Sequence, residues 1–141
     1  MEVFAPRFLA EPAVLSISES ATKVIARDEA LAKAIGLNIQ IDKNLPDVIL
    51  ADLGPAHPLL VFVEVVFSDG PVSERRKAAL LDLVRDAGFP TEHVAFVTAY
   101  LDRSAGPFKK NVSSLAWGTY AWFAAEPEGL LELTKTRNTI A

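Results

Sequence analysis

Cysteine is absent from the 141 residues, which excludes disulfides, thiolate metal sites and a cysteine nucleophile. Histidine is nearly absent too. His57 and His93 stand beside expected strands with no partner at helical metal-ligand spacing, so both read as structural or surface residues. No apolar run reaches bilayer length: the longest, Leu59 to Phe67, is broken by Glu64 and has roughly half the ~20 residues a span needs. The start, Met1-Glu2-Val3-Phe4, lacks the basic head and continuous apolar run of a secretory signal. These absences together lead us to expect a cytoplasmic protein with no membrane association. There is no Gly-rich phosphate loop, Ser68 has no recognisable histidine base, and no repeat or low-complexity tract appears.

What is present is a chain that is 50% apolar, enough for a real core, and short enough that one domain over residues 1–141 is expected. The net charge of −4 argues mildly against affinity built on phosphate neutralisation. Its distribution is uneven. Residues 1–70 carry five basic and ten acidic side chains, and residues 71–141 carry nine and eight, which concentrates basic potential C-terminally.

The periodicity gives a compact α/β unit. Val14 to Ile17 reads as a short strand, and Asp28 to Gly36 as a helix that Asp28 caps and Gly36 ends. Val48 to Leu53 and Leu59 to Phe67 read as two antiparallel strands joined across Gly54-Pro55-Ala56-His57-Pro58. Ser73 is a good N-cap for a helix bearing Leu80, Leu81 and Val84 and closed by Gly88. His93 to Tyr100 is strand-like, Pro107 opens a short helix carrying Lys109 and Lys110, and Leu115 to Ala124 is a further apolar strand. A strand, a helix of that length and another strand favour a parallel crossover, so the expected sheet is mixed with helices on its faces.

The informative piece is Leu45-Pro46-Asp47, followed seventeen residues after Asp47 by Glu64 inside Leu60-Val61-Phe62-Val63-Glu64-Val65-Val66. A carboxylate with apolar neighbours on both sides is expensive to bury unless something compensates it. A divalent cation shared with Asp47 would do so, since Mg²⁺ is commonly held by one or two carboxylates plus waters and phosphate oxygens. There it would activate a water and stabilise charge on a scissile phosphate. An arginine or backbone amides would satisfy Glu64 as well, and Pro-Asp alone is ordinary turn chemistry.

A longer pattern extends over nearly the whole chain. Glu64-Val65-Val66-Phe67-Ser68-Asp69-Gly70-Pro71-Val72-Ser73-Glu74-Arg75-Arg76 resembles the motif of BsuBI/PstI-type restriction endonucleases, in which an acid-bearing strand ends in Ser-His-Gly-Pro and a helix begins with Lys-Arg. Phe96-Val97-Thr98-Ala99-Tyr100, Leu115-Ala116-Trp117-Gly118-Thr119-Tyr120-Ala121-Trp122, and the earlier Ala21-Thr22-Lys23 and Asp28-Glu29 resemble further blocks in the family's order. The resemblance implies the three-layer restriction-endonuclease-like α/β fold of PD-(D/E)XK nucleases, with a central mixed β-sheet flanked by helices. It implies Mg²⁺-dependent hydrolysis of double-stranded DNA at a short palindrome, usually by a homodimer. Members generally carry an N-terminal helical region that has no counterpart here, so a catalytic-domain fragment or a stand-alone relative is expected.

Asp47 and Glu64 would then be the metal ligands, and Arg75, Arg76 and Lys77 the basic members of the catalytic set. Val66 stands where the wider nuclease pattern has lysine, so the basic role would pass to that following helix. Arginine stays charged and suits phosphate clamping, while Lys77 keeps a general-base option open. The plain alternative for the three is a solvated helix turn. Lys109 and Lys110 are candidate DNA-backbone contacts or simply an exposed basic pair. Asp69, where the family has histidine, is either a third acid near the metal or a turn cap. Gly118 and Tyr120 occupy positions where the family has glutamates, and Trp117 and Trp122 are read as core or sheet-face aromatics rather than base-stacking groups. The leading expectation is a metal-dependent endonuclease domain. Its alternatives are a nuclease fold kept as a DNA-binding or protein-interaction module, and a small-molecule enzyme on a generic sheet.

Overall fold

A computed structural model describes residues 2–17, 26–37, 45–66 and 70–135. The Ala21-Thr22-Lys23 block and Phe67, Ser68 and Asp69 lie outside the described residues. In chain order the elements are α1 (Phe4–Phe8), β1 (Pro12–Ile17), β2 (Ala26–Arg27), α2 (Glu29–Ala34), β3 (Val48–Asp52), β4 (Leu59–Val65), α3 (Glu74–Asp86), β5 (Val94–Tyr100), α4 (Gly106–Asn111), β6 (Thr119–Phe123) and β7 (Leu130–Leu133). The strands form one sheet in the order β2-β1-β3-β4-β5-β6-β7.

The middle of that sheet follows from residue type. Every residue of β3 is buried, as are Leu60 to Glu64 of β4, which is the continuous burial of strands covered on both faces. β3 and β4 form the expected antiparallel hairpin, with Val48 opposite Val63 and Asp52 opposite Leu59. The helical crossovers then make β4, β5 and β6 mutually parallel, while β7 returns antiparallel to β6. The sheet is therefore mixed, as the sequence led us to expect.

Side-chain alternation divides the core in two. On one face Ile49, Ala51, Leu60, Phe62 and Phe96 pack with Leu80 and Val84 of α3 and with the partly buried Leu31 and Ile35 around α2. On the other, Val48, Leu50, Val61, Val63, Val97 and Trp122 pack under Phe4 and Ala5 of α1. Helix, sheet and helix are the three layers. Beside α1 an apolar hollow of about 780 Å³ is lined by residues such as Val14, Leu50, Val65 and Ala99.

Two expected boundaries hold in atomic detail. Asp28 accepts a hydrogen bond from Leu31 N–H at 3.0 Å, and the Ser73 hydroxyl accepts one from Arg76 N–H at 3.2 Å. The C-terminal strand needs correction. β6 begins at Thr119, and residues 115–118 form a turn in which Gly118 takes φ +77°, a conformation no strand contains. The exposed edge strand β7 was not expected at all. No described helix is long and apolar enough to cross a membrane.

Candidate functional site

Alternation places Glu64 on the α3 face, two residues beyond Phe62, where it is only 4% exposed. The β3–β4 register ends at Val48 opposite Val63, and Asp47 and Glu64 are the next residues beyond that pair on the two arms of the hairpin. Asp47 is oriented by the neighbouring strand: its Oδ2 accepts the Val65 N–H at 2.7 Å. The two acids singled out in the sequence thus lie at the same end of the β3–β4 hairpin, linked through the Val65 N–H.

α3 starts beside them. Arg76 Nη2 donates to Glu64 Oε1 at 3.0 Å and to the Leu45 carbonyl at 3.2 Å, so one guanidinium ties the Leu45-Pro46-Asp47 entry to the buried acid. Arginine is therefore a partner of Glu64 in this structure, one of the possibilities that residue type left open. Arg75 points into solvent. Lys77 has its Nζ donating to the Trp117 carbonyl at 2.9 Å. Lys109 and Lys110 are exposed on α4, each in its last turn.

Residue type alone did not reveal Thr98. It pairs with Glu64 across β4 and β5, and its buried hydroxyl accepts the Val72 N–H at 3.0 Å, anchoring the segment that leads into α3. Asp52 was missed as well. Its carboxylate accepts the N–H groups of Ala10, Glu11 and Gly54 at 2.9, 2.8 and 3.0 Å. Burial pushes this carboxyl up, but the three donors outweigh it and hold it below its ordinary value. The Asp52-Leu53-Gly54 spacing, an acid two residues before a glycine, was the available signal for at least the local part of that arrangement.

Trp122 is buried, as expected, and its Nε1–H donates to the Pro127 carbonyl at 3.1 Å. Trp117 is not: it is 47% exposed on the turn before β6, which corrects its reading as a core or sheet-face residue. At Gly118 an added Cβ would come within 3.0 Å of Lys77 Nζ, and φ +77° disfavours any L side chain. A glutamate there would not fit this turn. His57 and His93 stack at 4.1 Å between ring centroids, near the start of β4 and of β5 and thus at the opposite end of these strands from Glu64.

Among the described residues no group of three or more His, Cys, Asp or Glu side chains could hold a metal ion. Asp47 and Glu64 are a two-carboxylate set. All-oxygen donors in that number suit a hard cation completed by water and phosphate, and lack the nitrogen and sulfur donors typical of structural zinc.

Comparison with known proteins gives concordant matches. The family model described as the BsuBI/PstI restriction endonuclease domain matches residues 1–136. The type II restriction enzyme BsuBI of Bacillus subtilis is 28% identical over 137 residues, covering 97% of this chain and 41% of that enzyme. The solved structure of SdaI restriction endonuclease superposes with a TM-score of 0.79 at 29% identity, over 98% of this chain and 41% of that one. The chain thus spans about two-fifths of the length of these relatives.

Proposed function

Because the chain belongs to the BsuBI/PstI restriction endonuclease domain family, we propose that it is a Mg²⁺-dependent phosphodiesterase domain acting on double-stranded DNA, with Asp47 and Glu64 as its metal-holding residues. The observation that supports this reading is that Asp47 and Glu64 lie at the same end of the β3–β4 hairpin, with Asp47 held in orientation by the Val65 N–H. When bound, Mg²⁺ would supply Lewis-acid charge to the scissile phosphate and to the attacking water.

The chain's own residues account for the remaining work. Burial of Glu64 excludes competing solvent from one carboxylate, while the half-buried Asp47 keeps the other near the surface. Arg76, attached to Glu64 and reaching toward solvent along its stem, would hold a nonbridging phosphate oxygen once a metal shares the acid's charge. Arg75 would add phosphate contact from the exposed side of the same turn. Lys77 contributes positive potential, and with its ammonium on the Trp117 carbonyl its part is structural rather than that of a general base. Lys109 and Lys110 would contact the DNA backbone further out. A homodimer would bring two such sites to the two strands of a duplex.

Calorimetric titration of Mg²⁺ and Mn²⁺ into the protein and into an Asp47→Ala, Glu64→Ala double variant, followed by incubation with plasmid DNA, tests the reading. Binding and cutting by the unmodified protein alone are expected. Equal metal binding by the double variant would remove these acids from the site, and absence of both activities in the unmodified protein would overturn the nuclease reading.

A further inference from the structure

The turn before β6 is exposed, yet its main chain is held almost completely. Ala116 N–H donates to the Val72 carbonyl at 2.9 Å, and the Ala116 carbonyl accepts the buried Thr119 hydroxyl at 2.7 Å. Trp117 N–H donates to Glu74 Oε1 at 2.8 Å, and its carbonyl accepts Lys77 Nζ at 2.9 Å. Gly118 N–H donates to the Leu133 carbonyl at 2.6 Å. An exposed turn usually leaves such groups to water. This one is fixed on both sides, and what it presents is an indole.

The two ends of the clamp, Glu74 and Lys77, belong to the same helical turn as Arg76, whose guanidinium reaches Glu64. Trp117 is therefore held in register with the two carboxylates through one rigid element. Of the two tryptophans, Trp122 is buried at 6% exposure, whereas Trp117 remains 47% exposed. An immobilised main chain also means that little further ordering is needed when the indole meets a partner.

We propose that Trp117 is a nucleic-acid contact: its indole lies against the sugar and base surface of the DNA strand whose phosphate the first turn of α3 holds. The proposal rests on the nuclease reading and adds to it a non-ionic contact, where the residues considered so far act through charge. Aromatic rings serve this purpose because every sugar and base offers an apolar face, whatever the sequence.

Trp117 supplies most of the solvent-exposed indole, so duplex DNA added with Ca²⁺ in place of Mg²⁺ should quench the tryptophan emission of the unmodified protein. Trp117→Ala should abolish the quench and weaken binding about tenfold or more, with the slope of log Kd against log salt unchanged because no ion is released. Trp117→Phe should retain most of the affinity, and both variants should keep the thermal midpoint, since the turn is held through its main chain. Duplex binding with unchanged emission, or with wild-type affinity in Trp117→Ala, would overturn the proposal and leave the nuclease reading standing. A large loss of thermal stability in both variants would also overturn it, by making the indole a packing group. Failure of the unmodified protein to bind duplex with any divalent cation would defeat both.

Discussion

A carboxylate as enclosed as Glu64 needs compensating polar groups, and Arg76 supplies one from a guanidinium whose side chain is still 25% exposed. Breaking a partly buried pair by removing one member leaves the other's desolvation uncompensated. Arg76→Gln should therefore lower stability by roughly 1–3 kcal/mol in the presence of chelator, read from urea unfolding. If Asp47 and Glu64 hold a cation, Mn²⁺ should raise the thermal midpoint of this variant more than that of the unmodified protein. An equal rise in both would show that Arg76 and the metal do not share Glu64. The sequence made the two acids legible, because a Pro-Asp entry and an acid interrupting an apolar strand are conspicuous without coordinates. It could not choose among Arg75, Arg76 and Lys77. Consecutive helical residues point about 100° apart, and only the docking of α3 on the sheet decides which one faces Glu64.

The element that carries this choice is α3, and its start is set by one hydroxyl. Ser73→Ala removes the acceptor for Arg76 N–H and should cost about 1 kcal/mol, with Ser73→Asp restoring most of it, as judged by shifts in the urea midpoint. A full wild-type midpoint in Ser73→Ala would mean that docking alone fixes the helix end. α3 was readable from its helical apolar spacing and its Ser73 cap, and β3, β4 and β5 from unbroken apolar runs rich in β-branched and aromatic residues. β6 was drawn starting four residues too early. Leu115, Ala116 and Trp117 have the composition of a strand, and the groups that make them a turn lie on α3 and β7, distant in sequence. β7 escaped for the complementary reason. Leu-Leu-Glu-Leu is short and holds no β-branched or aromatic residue, and it becomes a strand because β6 offers an open edge.

For the molecule as a whole, Asp52 has the widest reach, since it fastens the chain between α1 and β1 to the β3–β4 turn. Its carboxyl is held below the ordinary value in the folded state. The stability it gives is therefore complete above the unfolded value of about 3.9 and is lost as pH falls through the lower folded value. Asp52→Asn should destabilise by about 2 kcal/mol at neutral pH and flatten the loss of stability below about pH 4, seen as a shallower fall of the urea midpoint. An equally steep acid limb in the variant would assign that limb to other acids, such as Asp102 and Glu126, also held low but on the surface. No sequence pattern could announce the full arrangement, because two of its donors lie 42 and 41 residues away. The strand order has a further consequence. From β3 to β7 each strand lies beside its predecessor in the chain, so a polypeptide leaving the ribosome can add them one at a time to an edge already present. Asp47, Glu64 and Arg76 emerge early, but the turn bearing Trp117 is locked only when Leu133 arrives to accept Gly118 N–H. The rim proposed to meet DNA is thus complete only once β7 has been made, and a chain still short of β7 has the acids without it.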